Sequence, residues 1–169
     1  MNFKEIHLKI LETSDFSEEY LNWFKDKDVL EFSENQYRKF TRKSQLEYIK
    51  RLKKDEKNYL YGIFYKKKHI GNIVLGPIDN IHKRAEISYM IGDKNFWGVG
   101  VGTYAISLII KIVKENFNIQ KLCASCASKN ISSKKVLIKN DFKIEGRRKK
   151  HVFYNGNWYD TLDFGLMLY

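Results

Sequence analysis

The stretch Phe96-Trp97-Gly98-Val99-Gly100-Val101-Gly102-Thr103 constrains this chain most, because three glycines alternate along it and an apolar, helix-like segment, Tyr104 to Val113, follows without a break. Glycine lets the backbone turn through conformations closed to other residues and approach a ligand closely. A helix beginning directly behind such a turn aims unpaired N–H groups and the positive end of its dipole at that ligand. The stretch predicts an anion cradle, although a Gly-rich turn before a helix is also met as a turn and nothing more. It is not the lysine-bearing phosphate loop G-x-x-x-x-G-K-[ST]. Nor is it the dinucleotide pattern G-x-G-x-x-G, whose third glycine is replaced by Thr103.

Around the cradle the chain reads as strands and helices. Phe3 to Ile10 nearly alternates apolar and polar residues, which predicts a first strand. Ser17 heads Glu18-Glu19-Tyr20-Leu21-Asn22-Trp23-Phe24, with acids in the first turn and an apolar stripe, the pattern of a short amphipathic helix. A second helix is expected from Thr41 to about Lys54, with Leu46, Ile49 and Leu52 inward and a solvated basic face outward. Asn58 to Tyr65 and His69 to Leu75 predict a hairpin, ended by Gly76-Pro77 and the turn residues Asp79-Asn80. Further strands are expected over Arg84 to Gly92, Ile119 to Ala127 and Phe142 to Tyr154, with a helix over Ser132 to Lys139. Asn155-Gly156 is a hairpin turn, and a last strand runs from about Trp158 to Leu168. Strands outnumber helices and alternate with them in the second half, which predicts an α/β fold with a mixed, strongly twisted sheet flanked by helices.

A chain of 169 residues, 43% of them hydrophobic, suits a single domain over residues 1–169. The longest apolar run, Ala105 to Val113, is interrupted by Lys111 and too short to cross a bilayer, and no signal-peptide core opens the chain. A soluble cytoplasmic protein is expected, with no membrane partner. Cys123 and Cys126 stand at i and i+3 of a strand, on opposite faces, so neither a disulfide nor a metal site is expected of them and they read as buried structural thiols. No further Cys or close His completes a zinc set. The net charge of +11 asks for an anionic partner, a nucleic acid, an acidic membrane surface or a phosphorylated small molecule. No nucleic-acid motif accompanies it, and part of the lysine excess belongs to a composition rich in Lys, Asn and Ile.

The order Ala85-Glu86-Ile87-Ser88-Tyr89-Met90-Ile91, then the glycine cradle, then Asn130-Ile131-Ser132-Ser133 and Lys139-Asn140-Asp141-Phe142, resembles the GNAT superfamily of acyl-CoA-dependent N-acetyltransferases. It is most similar to the branch holding ribosomal-protein N-terminal acetyltransferases and several amino-sugar acetyltransferases. The resemblance covers nearly the whole chain. It implies that Trp97, Gly98, Val99, Gly100, Val101, Gly102 and Thr103 bind the pyrophosphate of acetyl-CoA through backbone N–H groups. Asn130 matches the motif residue that contacts the pantetheine arm, with Ser133 on the same helix face, and Asn130 also suits a helix N-cap. The family's usual Gly before the motif Phe is Asp141 here, which must tolerate a left-handed conformation.

Acetyl transfer needs a neutral amine, a polarised thioester carbonyl and a stabilised leaving thiolate. The resemblance implies a backbone N–H from the strand carrying Tyr89, Ile91 and Gly92 for the carbonyl. It implies Glu86 as the base, unless Glu86 pairs with a neighbouring Lys or Arg as an ordinary strand carboxylate, and Asp160 and Glu34 are the other candidates. Many members protonate the thiolate with a Tyr seven residues after the motif Asn, and here that residue is Leu137. Ser133, a tyrosine from elsewhere such as Tyr154, or water must substitute. On the acceptor side the stretch Glu34-Asn35-Gln36-Tyr37-Arg38 is similar to that of enzymes acting on nucleotide-linked amino sugars. Asn155 to Asp160 resembles the hairpin that closes the acceptor pocket, with Asp160 near the amine. His151, after Arg147-Arg148-Lys149-Lys150, reads as a partly exposed strand residue or a contact for an anionic substrate. The expected acceptor is the primary amine of a nucleotide-linked amino-deoxy sugar. Two alternatives stand beside it, a protein N-terminus acetylated by a ribosomal-protein type of enzyme and a non-catalytic acyl-CoA binding module. A monomer or homodimer is expected, with no nucleic-acid partner.

Overall fold

Seven strands pair into one mixed sheet, the inner ones carrying apolar residues on one face or both and β6 lying exposed at the edge for most of its length. The computed structural model describes residues 1–169. The strands are β1 (Ile6–Ile10), β2 (Tyr59–Tyr65), β3 (Lys68–Asp79), β4 (Arg84–Ile91), β5 (Lys121–Ala127), β6 (Lys143–Tyr154) and β7 (Asn157–Met167). Their order across the sheet is β1-β2-β3-β4-β5-β7-β6. All neighbours run antiparallel except β4 and β5, which are parallel and joined by only three pairs, Arg84↔Lys121, Ala85↔Leu122 and Glu86↔Cys123. Beyond Glu86 and Cys123 the two strands part, so the centre of the sheet opens as a vee.

Helices cover both faces. On one side lie α3 (Val101–Asn116) and α4 (Ile131–Lys139), and on the other α1 (Glu18–Trp23) and α2 (Arg42–Lys53). In α3, Val101, Ala105, Ile109 and Val113 recur at helical spacing and are fully or almost fully buried in a cluster of 21 apolar residues. In β2, Tyr61 and Ile63 face that cluster. Leu60 and Phe64 point the other way, into a cluster of seven with Leu11, Tyr20, Trp23, Ile49 and Leu52. Ser17 caps α1 by accepting from Tyr20 N–H (3.1 Å), and Thr41 caps α2 by accepting from Ser44 N–H (3.1 Å).

Several sequence expectations are corrected. The first strand begins at Ile6, because Phe3–Glu5 forms a 3-10 turn capped by Asn2. Strand β3 does not stop at Gly76-Pro77: Ile78 and Asp79 pair with Ala85 and Arg84 past an irregularity. Proline is tolerated there because Gly76 and Pro77 fall within that irregularity, between the Leu75–Ile87 and Ile78–Ala85 pairs, and have no paired residue on β4. In α2 the inward positions are Gln45, Ile49 and Leu52, with Leu46 half-buried. Gln45 is buried because its Oε1 accepts the Tyr20 hydroxyl (2.9 Å). Helix α3 starts at Val101, so Gly102 and Thr103 belong to its first turn and not to the loop. Cys123 and Cys126 are free thiols, half-buried rather than fully buried. Asp141 does take the left-handed conformation (φ 65°) and turns Phe142 into the larger core at 2% exposure.

His69 lies among Tyr20, Trp23 and Phe64 near the seven-residue cluster. Its Nε2 is 2.9 Å from Gly71 O, and since a carbonyl only accepts, that nitrogen carries the hydrogen. Nδ1 is then an acceptor, buried without a partner. Burial holds the imidazole below its usual 6.5, against smaller opposing effects from Asn72, Gly71 and the Asp15 carboxylate. The unfolded chain therefore binds this proton more readily than the folded one, and stability falls as pH drops below that value. The melting temperature is expected to decline between about pH 7 and about pH 5.5, and His69→Gln should flatten the decline. A slope unchanged by the substitution would remove His69 as its source.

Candidate active site

The exit of β4 is fastened before the glycines begin. Gly92 and Asp93 N–H both donate to Ile70 O (3.0 and 3.1 Å). The Asp93 carboxylate accepts from Asn95 N–H (3.0 Å) and pairs with Lys68 (2.6 Å). Trp97 has its own amide N–H engaged with Lys94 O (3.1 Å), and its indole N–H donates to Ile91 O (2.8 Å). The residue expected to offer a backbone donor thus frames the cradle, because both its N–H groups are committed to the chain. Past it the backbone turns through positive φ at Gly98 (73°) and Gly100 (91°), and Gly100 is the N-cap of α3. No side chain caps this helix, so the N–H groups of Val101, Gly102 and Thr103 have no acceptor from the helix itself. Gly98, Val99 and Gly100 are exposed beside them. Uncapped donors at the positive end of a sixteen-residue helix, Gly102 and Thr103 half-exposed and Val101 buried, suit the pyrophosphate of coenzyme A.

Gly102 serves a different purpose. A Cβ there would lie 3.3 Å from Val136 Cγ2, so glycine lets α3 and α4 approach. The buried Asn140 amide completes the junction, donating to Thr103 O (3.1 Å) and Val136 O (2.9 Å). The second motif block is thereby tied to the first.

The vee between β4 and β5 carries Tyr89 and Ile91 on one arm and Cys126 on the other, all half-buried. Asn130 caps α4 by accepting Ser133 N–H (3.0 Å), so its N-cap role is present. Ser133 Oγ is 2.9 Å from the Tyr89 hydroxyl. Burial pushes the Tyr89 phenol well up, opposed in part by Ser133, and likewise raises the Cys126 thiol. Leu137 is fully buried in the larger core, which explains an apolar residue at the position where the resemblance leads one to look for a tyrosine.

Glu86 stands at the last β4–β5 pair, on the strand face opposite the buried Ala85 and Ile87. Its side chain is exposed and makes no ion pair, while neighbouring Arg84 turns to Asp79 (3.5 Å). It lines a cavity of about 450 Å³ with Lys57, Asp79, Arg84 and Cys123.

Residues more than a hundred apart in sequence meet where the acceptor is expected. Tyr154 donates to Glu34 Oε1 (3.0 Å), and Tyr37 donates to Phe153 O (2.5 Å). The rings of Tyr37 and Tyr154 stack at 6.3 Å, and burial together with Glu34 pushes the Tyr154 phenol up. Glu34, Tyr37 and Arg38 remain exposed, and Arg38 makes no ion pair. Asp160 is already committed within the β6–β7 hairpin. One oxygen accepts Lys150 N–H (2.8 Å), the other binds the Arg147 guanidinium, and together they hold the carboxyl below its usual range. His151 Nε2 accepts from Arg148 Nη1 (2.7 Å) at the surface. The Tyr89–Ser133 bond and the Asn140 fastening were not foreseen from the sequence; only the alternation of β4, which turns Tyr89 toward the helices, hinted at the first.

No group of three or more His, Cys, Asp or Glu side chains gathers as a metal site, and no helix is long and apolar enough to cross a membrane. The family model described as the acetyltransferase (GNAT) domain matches residues 6–143. A probable N-acetyltransferase of Bacillus subtilis, YjcK, is 30% identical over 166 residues, covering 93% of this chain and 91% of the relative. Among solved structures, the ribosomal-protein alpha-N-acetyltransferase RimL in complex with coenzyme A superposes with a TM-score of 0.85 at 21% identity, over 96% of this chain and 94% of that one. Spermidine N-acetyltransferase of Vibrio cholerae, in complex with coenzyme A and spermine, gives 0.85 at 18% identity, over 98% and 96%.

Proposed function

From the premise that this chain belongs to the GNAT acetyltransferase family, we propose which amine it acetylates and which residues serve the transfer. Acetyl-CoA is the donor, and it supplies an activated acetyl thioester. The uncapped first turn of α3 and the Gly98–Gly100 loop hold the pyrophosphate, and Asn130 and the vee between β4 and β5 receive the pantetheine arm. Backbone N–H groups on the parted edge of β4, around Tyr89 and Ile91, polarise the thioester carbonyl.

Glu86 removes the proton from the incoming ammonium, directly or through a water. The observation that supports this is its exposed carboxylate, which makes no ion pair, at the apex of the vee. As the C–N bond forms and the C–S bond breaks, the electron pair stays on sulfur, and the Ser133 hydroxyl donates a hydrogen bond to it. The proton lost by the amine balances the one the thiolate takes up from solvent. Glu86→Gln is expected to lower kcat/KM about a hundredfold near neutral pH, with the deficit shrinking as pH rises and the amine becomes neutral unaided. An unchanged pH profile would remove Glu86 as the base.

The acceptor favoured here is the N-terminal amine of a protein. Its support is the exposed surface that Glu34, Tyr37 and Arg38 keep beside the site, although Glu34 and Tyr37 are also tied to the end of β6. A ribosomal-protein-serine acetyltransferase of Escherichia coli, 28% identical over 102 residues, is consistent with that choice. A second reading, the nucleotide-linked amino sugar, is favoured by the cavity that sets Lys57 and Arg84 beside Glu86. Thiol release from acetyl-CoA with Ser- or Ala-initiated peptides, nucleotide-linked amino sugars and polyamines separates these readings. No acceptor-dependent release despite acetyl-CoA binding would overturn the enzymatic one.

A further inference from the structure

We propose that Tyr89 is a positioning residue that fixes the Ser133 hydroxyl so that its hydrogen points at the departing sulfur. The inference rests on the acetyltransferase reading above and adds a residue to it. The ladder between β4 and β5 ends at Glu86 and Cys123, and Tyr89 and Cys126 each stand three residues further along, on the arms of the vee. Both turn to the α3–α4 side and pack half-buried against the larger core. The first turn of α4 lies over this gap, held by the Asn130 cap, and brings Ser133 Oγ within 2.9 Å of the Tyr89 hydroxyl.

A hydroxyl rotor is useful only if something chooses its direction. Tyr89 has one hydrogen and two acceptors within reach, Ser133 Oγ at 2.9 Å and Ser133 O at 3.2 Å. Helix geometry already gives Ser133 O the N–H of Leu137, four residues on, so Oγ is both the nearer and the needier acceptor. When Tyr89 donates to Oγ, the serine's own hydrogen cannot lie along that line and is left for the arm of the vee that carries Cys126, whose thiol it also meets. Burial keeps the phenol protonated and hence a donor at any working pH. No proton need leave Tyr89: it orients, Ser133 donates a hydrogen bond, and sulfur keeps the electron pair of the broken C–S bond.

Tyr89→Phe keeps the ring in the core and deletes only the hydroxyl. Turnover should fall about tenfold, with KM for acetyl-CoA within about twofold of wild type. Ser133→Ala should cost about a hundredfold, and the double variant should be no slower than Ser133→Ala alone, because the phenol acts only through that serine. A second readout needs no acceptor. The ultraviolet thiolate absorbance of bound coenzyme A, titrated with pH, should show the thiol ionising at higher pH in both single variants than in wild type. Tyr89→Phe equal to wild type in turnover and in thiolate titration would overturn the inference, as would independent, multiplying losses in the double variant. Absent turnover with a preserved titration difference would instead sink the acetyltransferase reading and leave the Tyr89–Ser133 assignment standing.

Discussion

Gly100→Val should weaken coenzyme A binding about tenfold or more, the largest loss expected from any one change in the cradle. The backbone at Gly100 has φ 91° and ψ 1°, a conformation costing a β-branched residue roughly 1–3 kcal/mol. Its Cβ would also lie 3.3 Å from the Phe3 ring. If the loop keeps its shape the folded state carries that strain, and if it relaxes the N–H groups of Val101 to Thr103 lose their common aim. Since about 1.4 kcal/mol is a factor of ten in affinity, either route is measurable by calorimetry, with melting to tell them apart. Gly102→Ala is the contrast, because Gly102 sits at ordinary helical angles and only crowds Val136 at 3.3 Å. Equal losses in the two variants would mean that glycine content, and not the direction of the donors, matters.

Gly92→Val is the second change expected to be severe, through space instead of backbone angle. A Cβ at Gly92 would stand 1.9 Å from Trp23 Cδ2 and 2.4 Å from Cγ, inside the indole itself. Trp23 is only 7% exposed and is packed edge-on to Tyr20 at 5.4 Å and to His69 at 4.9 Å, so it has little freedom to move aside. The variant should lose about 3 kcal/mol, or on the order of 10 °C in melting temperature for a domain of this size. Adding Trp23→Ala should restore part of the loss, because the new side chain then fills the space vacated. A variant that melts like wild type would refute the docking of α1 on the end of β4.

Features governed by neighbours in sequence were legible beforehand. Asn155-Gly156 announced the β6–β7 turn and Ser17 the start of α1, and both stand where expected. The cradle was readable because its chemistry lies in consecutive backbone groups. Pro77 misled, since a proline need not end a strand when it falls in an irregularity of the ladder, and the register of β3 against β4 slips between Leu75 and Ile78. Gln45 in the core could not be foreseen without knowing that Tyr20 would present its hydroxyl there. The same holds at the site. Asp160 looked like a free carboxylate until the bulge in β6 brought Arg147 and the Lys150 N–H onto it. Tyr89 was expected only on the strand that serves the carbonyl, and its hydroxyl had no visible partner until α4 laid Ser133 across it.

The unequal partition of the apolar interior, 21 residues beneath α3 and α4 against seven beneath α1 and α2, sets a hierarchy of opening. Amides of α1 and α2 should exchange with solvent deuterium through subglobal fluctuations well below the global unfolding energy, while those of α3 wait for the whole domain. Such a hierarchy leaves one half of the molecule a fixed chassis and the other an adjustable fitting.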